Sequence, residues 1–371
     1  MNKYLPGQSS VQLARNLIEQ ELRICYPIRS ISAQIDNRIE NGILEEFRIE
    51  FLECWRKVPN KGFFLVLLAA WLILFQFLGN STLGYTHTPS LMTWMYIAYH
   101  PIPQPGQEDA LSEDGHGLIV PLVVLGLFWW KRKALVAEGL DTWWPGLLIV
   151  AFGLLTHIAG YMGQQPKLSV IGLFIGIYGL TGLAWGPVWL KKSFFPFVLF
   201  AFCVPLGSQA LPITFKLRMM VSQIVEAISH NLLAIDVIRE GTSLKDPSGR
   251  YSYDVAAPCS GIRSLVATVG FALVYGVVSF RSWWKRVLLI ASAFPLAVAG
   301  NALRMLTIVI AADIGGQERG NYVHEGGPGG IISLLPYIPA FVGLLALGHW
   351  LEKKYAEPKP VVQPAQEAQP A

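Results

Sequence analysis

The sequence predicts an all-α integral membrane protein with about eight transmembrane helices, an interfacial helix on the outer face and a short β-hairpin. Of the 371 residues, 53% are hydrophobic and 15% are charged, whereas about 25% of the residues in a soluble domain are charged. The apolar residues fall into runs of about 20, the length with which an α-helix crosses the hydrocarbon layer of a bilayer. Lys and Arg cluster in alternate connections between these runs, as they do in cytoplasmic loops of membrane proteins.

The predicted transmembrane helices follow the apolar runs of the chain. They cover residues 62–79, 116–130, 143–160, 168–190, 193–212, 257–280, 287–313 and 329–351. The second run, HGLIVPLVVLGLFWW, is short for a span and could extend toward the N-terminus.

The distribution of Lys and Arg predicts the orientation in the membrane. With the N-terminus in the cytoplasm, the turns that contain KRK (131–133), KK (191–192) and RSWWKR (281–286) all face the cytoplasm. This arrangement agrees with the excess of positive charge expected on that side, and few Lys and Arg residues remain for the opposite side. We therefore expect a multi-pass protein of the cytoplasmic (inner) membrane with both termini in the cytoplasm.

Three regions of the chain differ in composition. Residues 1–57 are predicted to be a cytoplasmic extension, either an amphipathic helix at the membrane surface or a solvated segment. Residues 58–352 form the transmembrane domain, and residues 353–371, rich in Pro, Ala and Gln, are predicted to be a disordered tail. The net charge is only +4, and no Lys/Arg-rich block is interleaved with aromatic residues, so we expect no nucleic-acid partner.

Three segments on the outer side are candidates for chemistry. Segment 80–115 contains no Lys or Arg and includes an acidic, proline-punctuated loop. Segment 213–256 begins with apolar residues at the spacing of an interfacial helix, and its DPSG sequence between two β-prone runs predicts a hairpin. Segment 314–328 is predicted to be a glycine-rich loop, and it contains one histidine, His324.

Cys259 begins the sixth predicted span, in the sequence APCSGIRSL. Pro258 suits the first turn of a helix, so the thiol would lie at a helix N-terminus, where the helix dipole favours the thiolate. A thiolate in this position would be a nucleophile. The alternative is that Cys259 is an unreactive, small apolar residue, which is how we interpret Cys25, Cys54 and Cys203.

Arg304 lies in the outer third of the seventh predicted span. An arginine within a span costs at least about 2.5–3.5 kcal/mol on insertion scales and usually faces a bundle interior or a wet cavity. It would stabilise the oxyanion of a tetrahedral intermediate or hold a substrate carbonyl, and Asn301 lies on the same helical face beside it. Alternatively, Arg304 forms a structural ion pair with Asp313 or Asp254. Arg263, near the start of the sixth span, is a rival cation for the catalytic role.

His324 precedes the last predicted span, in the sequence YVHEGGPGG. Its imidazole exchanges protons near neutral pH, as a general acid or base for a thiol and a leaving amine must do. The alternative is an ordinary surface histidine. A metal site is not expected, because Cys259, His324 and His116 have no ligand-like spacing, and no cofactor is expected.

The motifs around these residues, taken together, resemble those of the exosortase/archaeosortase family. APCSGIRSL (257–265), NALR (301–304) and HEGGPGG (324–330) are similar to three motifs of that family and occur in the same order. The sequence EDGHG, which contains His116, resembles the histidine-glycine motif ahead of the family's second span, although no role is implied for it. The resemblance covers approximately residues 60–350.

The resemblance implies a cysteine transpeptidase or protease of the cytoplasmic membrane. Cys259 would be the nucleophile, Arg304 the transition-state or substrate-binding residue, and His324 the proton-transfer residue. Ser260 and Gly261, which follow the nucleophile in the same motif, would support the site.

The implied substrates are secreted proteins with a C-terminal signal that consists of a short motif such as Pro-Glu-Pro, a hydrophobic span and a basic end. Cleavage would occur at the outer face, and the acyl group would pass to an unknown acceptor nucleophile or to water; membrane lipid is the other expected partner. Two classes stay open as alternatives: a polytopic transporter, and a scaffold of an exopolysaccharide-secretion system. A transporter predicts charged residues at the midplane and an internal repeat, whereas a scaffold has no need of Cys259.

Overall fold

The structure is a computed structural model in which helices predominate and one small antiparallel sheet is present. It describes residues 42, 45–82, 88–100, 114–136, 139–206, 211–254, 262–327, 334 and 337–355. The helices are α1 (45–57), α2 (Lys61–Leu78), α3 (Leu91–Tyr99), α4 (Val120–Val136), α5 (Gly146–Met162), α6 (Pro166–Val198), α7 (Leu211–Asn231), α8 (Ile262–Ser279), α9 (Trp283–His324) and α10 (Tyr337–Lys354). The strands are β1 (Ile238–Glu240), β2 (Ser243–Lys245) and β3 (Ser252–Asp254), and 3₁₀ helices cover Gly115–Leu118 and Leu199–Cys203.

Three elements are long and apolar enough to cross a membrane: α2, α6 together with the 3₁₀ helix that follows it, and α9. Helix α5 and most of α8 are shorter apolar helices. Large apolar side chains are exposed on these elements, among them Phe77, Leu148 and Val287, as expected for surfaces that contact lipid. The described part of the chain is therefore a mostly helical membrane protein, and each predicted span overlaps a helix.

Glycines hold the helices of the N-terminal half close together. A Cβ on Gly153 of α5 would lie 2.7 Å from the Gly176 nitrogen, and one on Gly172 would lie 2.6 Å from the Gly153 carbonyl oxygen. On α2, the Trp71 indole N–H donates to the Leu173 carbonyl oxygen at 3.1 Å. Small residues at helix contacts allow this close approach in membranes, so α2, α5 and α6 pack as one bundle.

Helix α6 is a hairpin of two antiparallel arms. Gly186 has φ 89° and ψ 176°, a backbone conformation that is essentially restricted to glycine. Beyond it the chain folds back, and the Tyr178 hydroxyl donates to the Leu190 carbonyl oxygen at 2.9 Å. Further along the two arms, the rings of Phe174 and Phe200 stack with centroids 4.3 Å apart.

The turn between the fourth and fifth predicted spans therefore lies nearer the N-terminus than expected. The sequence suggested Lys191–Lys192, because basic residues mark cytoplasmic turns. Pro187, whose fixed φ suits the first turn of a helix, instead begins the second arm directly after Gly186. The lysines stay at the same end of the molecule as the KRK turn, since Lys192 Nζ donates to the Ala134 carbonyl oxygen at 2.9 Å.

Helix α3 lies in the segment 80–115, for which the sequence predicted an acidic loop but no helix. The Ser90 hydroxyl caps it by accepting a hydrogen bond from the Thr93 backbone N–H at 3.1 Å. Leu91 and Met95 are buried in a cluster with residues of α2 and α6. At nine residues the helix is too short for a span, so a search for spans does not find it. The acidic part of the segment lies outside the described residues.

The second outer segment contains helix α7 and the three-stranded sheet, in the order β1-β2-β3. The predicted hairpin is confirmed: β2 pairs with β3, and Lys245 lies opposite Ser252. In its DPSG loop, the Gly249 N–H donates to the Asp246 carbonyl oxygen at 3.0 Å. Strand β1 was not predicted; it pairs with β2 through a tight turn at Gly241, where φ is 64°. Both α7 and the sheet share a core with α9.

Helix α1 connects the N-terminal region to the transmembrane bundle. Its Glu50 carboxylate pairs with Arg132 and, at 3.2 Å, with Lys133 of α4. The Phe47 ring packs on Trp129 with centroids 4.4 Å apart. The predicted regions 1–57 and 353–371 otherwise lie mostly outside the described residues.

The last described helix, α10, covers Tyr337–Lys354 and overlaps the span predicted over 329–351, and residues 328–333, 335 and 336 lie outside the described part of the chain. Helices α8, α9 and α10 pack around a cluster that includes Ala272, Leu289 and Leu344, and they form the C-terminal half of the bundle.

Candidate active site

Helix α9 also reverses its direction, at Gly316, where φ is 74° and ψ is −170°. In a continuous helix Arg304 and His324 would be about 30 Å apart, because each residue adds 1.5 Å. Instead, Nη2 of Arg304 donates to the His324 carbonyl oxygen at 3.2 Å. Residues 317–324, the return segment, therefore run back along the part of α9 that precedes Gly316 and bring two predicted site residues together.

The return segment corrects the prediction of a loop over 314–328. As far as His324 the segment is helical apart from the reversal. Its glycines and charged residues are typical of a loop, and a helix of this length is marginal by itself. Contacts with strand β3 stabilise it, and those contacts are not visible in the local sequence.

Arg304 is half-buried, and its Nε atom is buried without a hydrogen-bond partner in the part of the chain that the structure describes. The ion pair considered with Asp313 does not form, because the Asp313 carboxylate accepts from Arg250 at 3.0 Å. Asn301, about one turn earlier on α9, is buried. A buried donor such as Nε of Arg304, which has no partner among the described residues, is unfavourable. Such donors are typical of groups that meet a ligand or a substrate.

His324 lies in the return segment, beyond the reversal at Gly316. Burial and the nearby Arg304 cation lower the pKa of His324, and the Glu325 carboxylate opposes this shift. A lowered pKa favours the neutral form of the imidazole. In this form it can accept a proton from an acidic donor such as a thiol.

Strand β3 connects His324 with the cysteine motif. The Tyr253 ring lies near the His324 imidazole, with centroids 6.3 Å apart and planes inclined by 26°. The Tyr253 hydroxyl donates to the Gln317 carbonyl oxygen at 2.8 Å. The Ser252 backbone N–H donates to Oε1 of Gln317 at 2.9 Å. A few residues beyond this strand lies Cys259.

Tyr253 and Gln317 were not found from the sequence. A usable signal was present, because Tyr251 and Tyr253 alternate along the strand that leads into APCSGIRSL. Alternate residues of a strand face the same side of a sheet. The pattern therefore predicts a strand with one aromatic face directly before the cysteine motif.

The structure places the remaining predicted residues as follows. Cys259, Ser260 and Gly261 lie outside the described residues; the backbone of Arg263 is in the first turn of α8, and His116 lies in the 3₁₀ helix before α4. Among the described residues, no group of three or more His, Cys, Asp and Glu side chains is arranged to hold a metal ion.

An apolar groove between the two halves of the bundle has a volume of about 450 Å³ and His116 among its lining residues. Its other walls are apolar and come mainly from α8, from the start of α4 and from the 3₁₀ helix Leu199–Cys203. Gly270 in the α8 wall faces open space, since a Cβ there would meet nothing within 4 Å. Val266, also in this wall, follows Cys259 closely in sequence, so the groove begins near the end of α8 that carries the cysteine motif.

Comparison with known proteins places the chain in a family. The family model described as transmembrane exosortase matches residues 109–342, a range that contains the sheet, the return segment and most of the groove. No curated protein and no solved structure matches the chain. Because the matched range is more than half of the 371 residues, the chain belongs to the transmembrane exosortase family.

Proposed function

We propose that this protein is a membrane-embedded cysteine transpeptidase or protease that cleaves C-terminal sorting signals of secreted proteins. Membership of the exosortase family supports a membrane transpeptidase or protease. The observation that carries the assignment is the hydrogen bond from Arg304 to the His324 backbone carbonyl oxygen, because it brings together two residues from separate motifs, one with a cationic and one with a titratable side chain. Cys259 is the proposed nucleophile, since β3 leads from the neighbour of His324 directly into its motif.

The first half-reaction forms a thioester. Neutral His324 takes the proton from Sγ of Cys259, and the thiolate attacks the carbonyl carbon of the scissile peptide bond. Arg304 stabilises the oxyanion of the tetrahedral intermediate by charge-assisted hydrogen bonds. As the C–N bond breaks, His324 gives its proton to the departing amine nitrogen.

The second half-reaction releases the acyl group. An acceptor amine or hydroxyl, or water, attacks the thioester carbonyl carbon while His324 accepts its proton. The C–S bond then breaks, and the proton returns to the Cys259 thiolate. Attack by an acceptor gives transpeptidation, whereas attack by water gives hydrolysis.

Four other residues have supporting roles in this proposal. Asn301 is buried beside Arg304 on α9 and would orient the guanidinium. Arg263, in the first turn of α8, would add positive charge near the nucleophile. Ser260 and Gly261 follow Cys259 and would shape the backbone around the oxyanion.

We place this reaction at the outer face of the cytoplasmic membrane, in a protein with eight membrane crossings. Helices α2, α4, α5, α8, α9 and α10 would each cross once, and the reversal at Gly186 lets α6 with the following 3₁₀ helix cross twice. Basic residues meet at one end of the bundle, where Lys131 Nζ donates to the Lys192 carbonyl oxygen at 2.9 Å. Positive charge favours the cytoplasm, so both termini would be cytoplasmic and the return segment would face outward.

The groove beside His116 is the proposed location for the hydrophobic part of the sorting signal. Its walls are apolar, and Gly270 leaves space for close approach of a helix. A segment seated there would carry the preceding sorting motif toward His116 and Cys259. Membrane lipid would fill the groove between substrates.

The proposal is tested by processing of a candidate substrate with purified Cys259→Ala protein, followed as a size change on a gel. We expect cleavage to be lost, because no thiolate remains to attack. Cys54→Ala, a change in α1, is the matched control and should cleave like the wild type. A transporter or an exopolysaccharide-system scaffold would not need Cys259, so undiminished processing by the Cys259→Ala protein would refute the proposal and favour those classes.

A further inference from the structure

We infer that Tyr253 is a positioning residue that holds the His324 imidazole in place for proton transfer, an inference that rests on the proposed function of His324. His324 ends a return segment of only about two helical turns, and helices this short are marginal in isolation. The segment follows a backbone reversal rather than a continuous helix. The position of the imidazole must therefore be fixed by contacts from outside the return segment.

Tyr253 supplies such contacts at two points. Its ring faces the imidazole, with centroids 6.3 Å apart, within the range of favourable aromatic pairs. Its hydroxyl donates to the Gln317 carbonyl oxygen at 2.8 Å. A Cβ on Gly320 would clash with this hydroxyl, so the missing side chain allows the ring to lie directly against the return segment.

Strand β3 and the residues just before it are hydrogen-bonded to α9 on both sides of the reversal at Gly316. Before Gly316, Asp313 accepts hydrogen bonds from Arg250 at its carbonyl oxygen, at 3.3 Å, and at its carboxylate, at 3.0 Å. After Gly316, the side chain of Gln317 accepts from the Ser252 N–H at 2.9 Å. Because these hydrogen bonds attach the strand to α9 at both points, the Tyr253 ring cannot move away without breaking several of them.

Tyr253 acts on the imidazole through its position rather than through a charge. Burial raises the pKa of Tyr253, so its phenol is neutral throughout the physiological range. Among the described residues, Arg304, earlier on α9, and the adjacent Glu325 are charged groups that shift the pKa of His324. A loss of Tyr253 would therefore change the geometry and hydration of the imidazole while leaving these charges in place.

The experiment compares Tyr253→Leu with Tyr251→Leu in the full-length protein. Tyr251 is a buried tyrosine of the same cluster, and its hydroxyl has no hydrogen-bond partner among the described residues. We expect Tyr253→Leu to lower kcat about ten- to a hundredfold with little change in KM, the effect of a displacement of about 1 Å. Tyr251→Leu should lower thermal stability similarly but change kcat by less than about threefold. Tyr253→Phe, which keeps the ring, should restore most of the activity.

A second measurement does not depend on peptidase activity. The His324 imidazole is titrated by NMR in isotope-labelled protein, with His324→Gln to assign its signal. We expect its titration to move in Tyr253→Leu and to stay at the wild-type position in Tyr251→Leu. If Tyr253→Leu and Tyr251→Leu behave alike in both kcat and titration, the inference is overturned. If the His324 titration moves in Tyr253→Leu but the wild-type protein has no peptidase activity, only the proposed function is overturned.

If Tyr253→Leu does not fold, Gln317→Ala replaces it, because this change removes the hydrogen bond to Ser252 without removing core volume. The inference then requires that Gln317→Ala lowers kcat by less than the loss expected for Tyr253→Leu. It also requires that the His324 titration of Gln317→Ala differs from that of the wild type. A Gln317→Ala protein with wild-type kcat and wild-type titration would overturn it.

Discussion

The two glycine reversals of the molecule use the same backbone device in different surroundings. Gly186 and Gly316 both have positive φ and extended ψ, in the region that is essentially restricted to glycine. After Gly186 the two arms close on each other through aromatic contacts such as Phe174 with Phe200. After Gly316 the return segment closes on Arg304 through a hydrogen bond and is held from outside by strand β3.

This difference indicates that the residues around a glycine reversal, and not the reversal itself, determine whether it produces a packed helical hairpin or brings polar site residues together. Apolar arms in lipid give a packed pair of spans, because dispersion and close approach are the main interactions there. Polar groups after the second reversal bring a cation beside a residue with a titratable ring, because Arg304 donates to the His324 carbonyl oxygen. The comparison therefore predicts that the two reversals respond differently to substitution.

Loss of the cation at the second reversal should have the largest effect. Arg304→Ala is expected to lower kcat/KM for substrate processing by about 10²–10³, the usual loss when one oxyanion donor is removed. Arg263→Ala should lower it by less, about tenfold, because a neighbouring charge acts at longer range. The measurement is a time course of cleavage by purified protein. Activity lost in Arg263→Ala and retained in Arg304→Lys would make Arg263 the oxyanion residue and the second reversal structural.

Alanine at each reversal breaks the comparison most directly. Gly186→Ala and Gly316→Ala should each destabilise the fold by about 1–3 kcal/mol, because alanine rarely adopts these backbone angles. Only Gly316→Ala should also lower kcat of the folded protein, by about tenfold or more, since it displaces His324 from Arg304.

Thermal unfolding and kcat of the monodisperse fraction measure these two effects separately. At Gly316 space is not limiting, because an added Cβ would meet nothing within 4 Å, so the effect reports backbone conformation. Equal losses of kcat at both glycines would contradict the distinction between the two reversals.

The smallest expected effect is on the pH dependence of activity, which depends on His324 in the return segment. The pKa of His324 is lowered, so the fall of activity on the acid side should have its midpoint below the ordinary value of 6.5. The reason is that the neutral imidazole accepts the thiol proton, and it is lost only as pH falls through its own pKa. Glu325→Gln removes the charge that opposes this shift, so the midpoint should move to still lower pH, with little change at pH 7. A pH profile of kcat/KM tests this, and a midpoint that moves upward would assign the acid limb to another group.

The sequence predicted the helices better than it predicted the turns between them. Apolar runs define a helix wherever they are long, so the region of α2 was predicted almost to the residue. The fourth turn was misplaced because Lys191–Lys192 carries the charge signal while Gly186 carries the conformation. His324 was predicted in a loop because its neighbours are polar and glycine-rich, and only long-range contacts make them helical.

The candidate site was predicted by residue type but not by geometry. Arg304 attracted attention because a charge inside a span is unfavourable, and His324 because it titrates. That they touch depends on the angles of Gly316, which a sequence of flexible residues does not specify. The role of Tyr253 was missed because it depends on the packing of a strand against a helix far along the chain.

Because the chain reverses at Gly316, the contact between Arg304 and His324 depends on the exact number of residues between them. A helix turns by about 100° per residue, so a single insertion on either side of Gly316 would rotate one partner away from the other. Such a change would leave composition, charge and hydropathy intact and still separate the pair. We therefore expect insertions and deletions in this stretch to separate Arg304 from His324, whereas the turn at Gly241, on the far edge of the sheet, should tolerate changes in length.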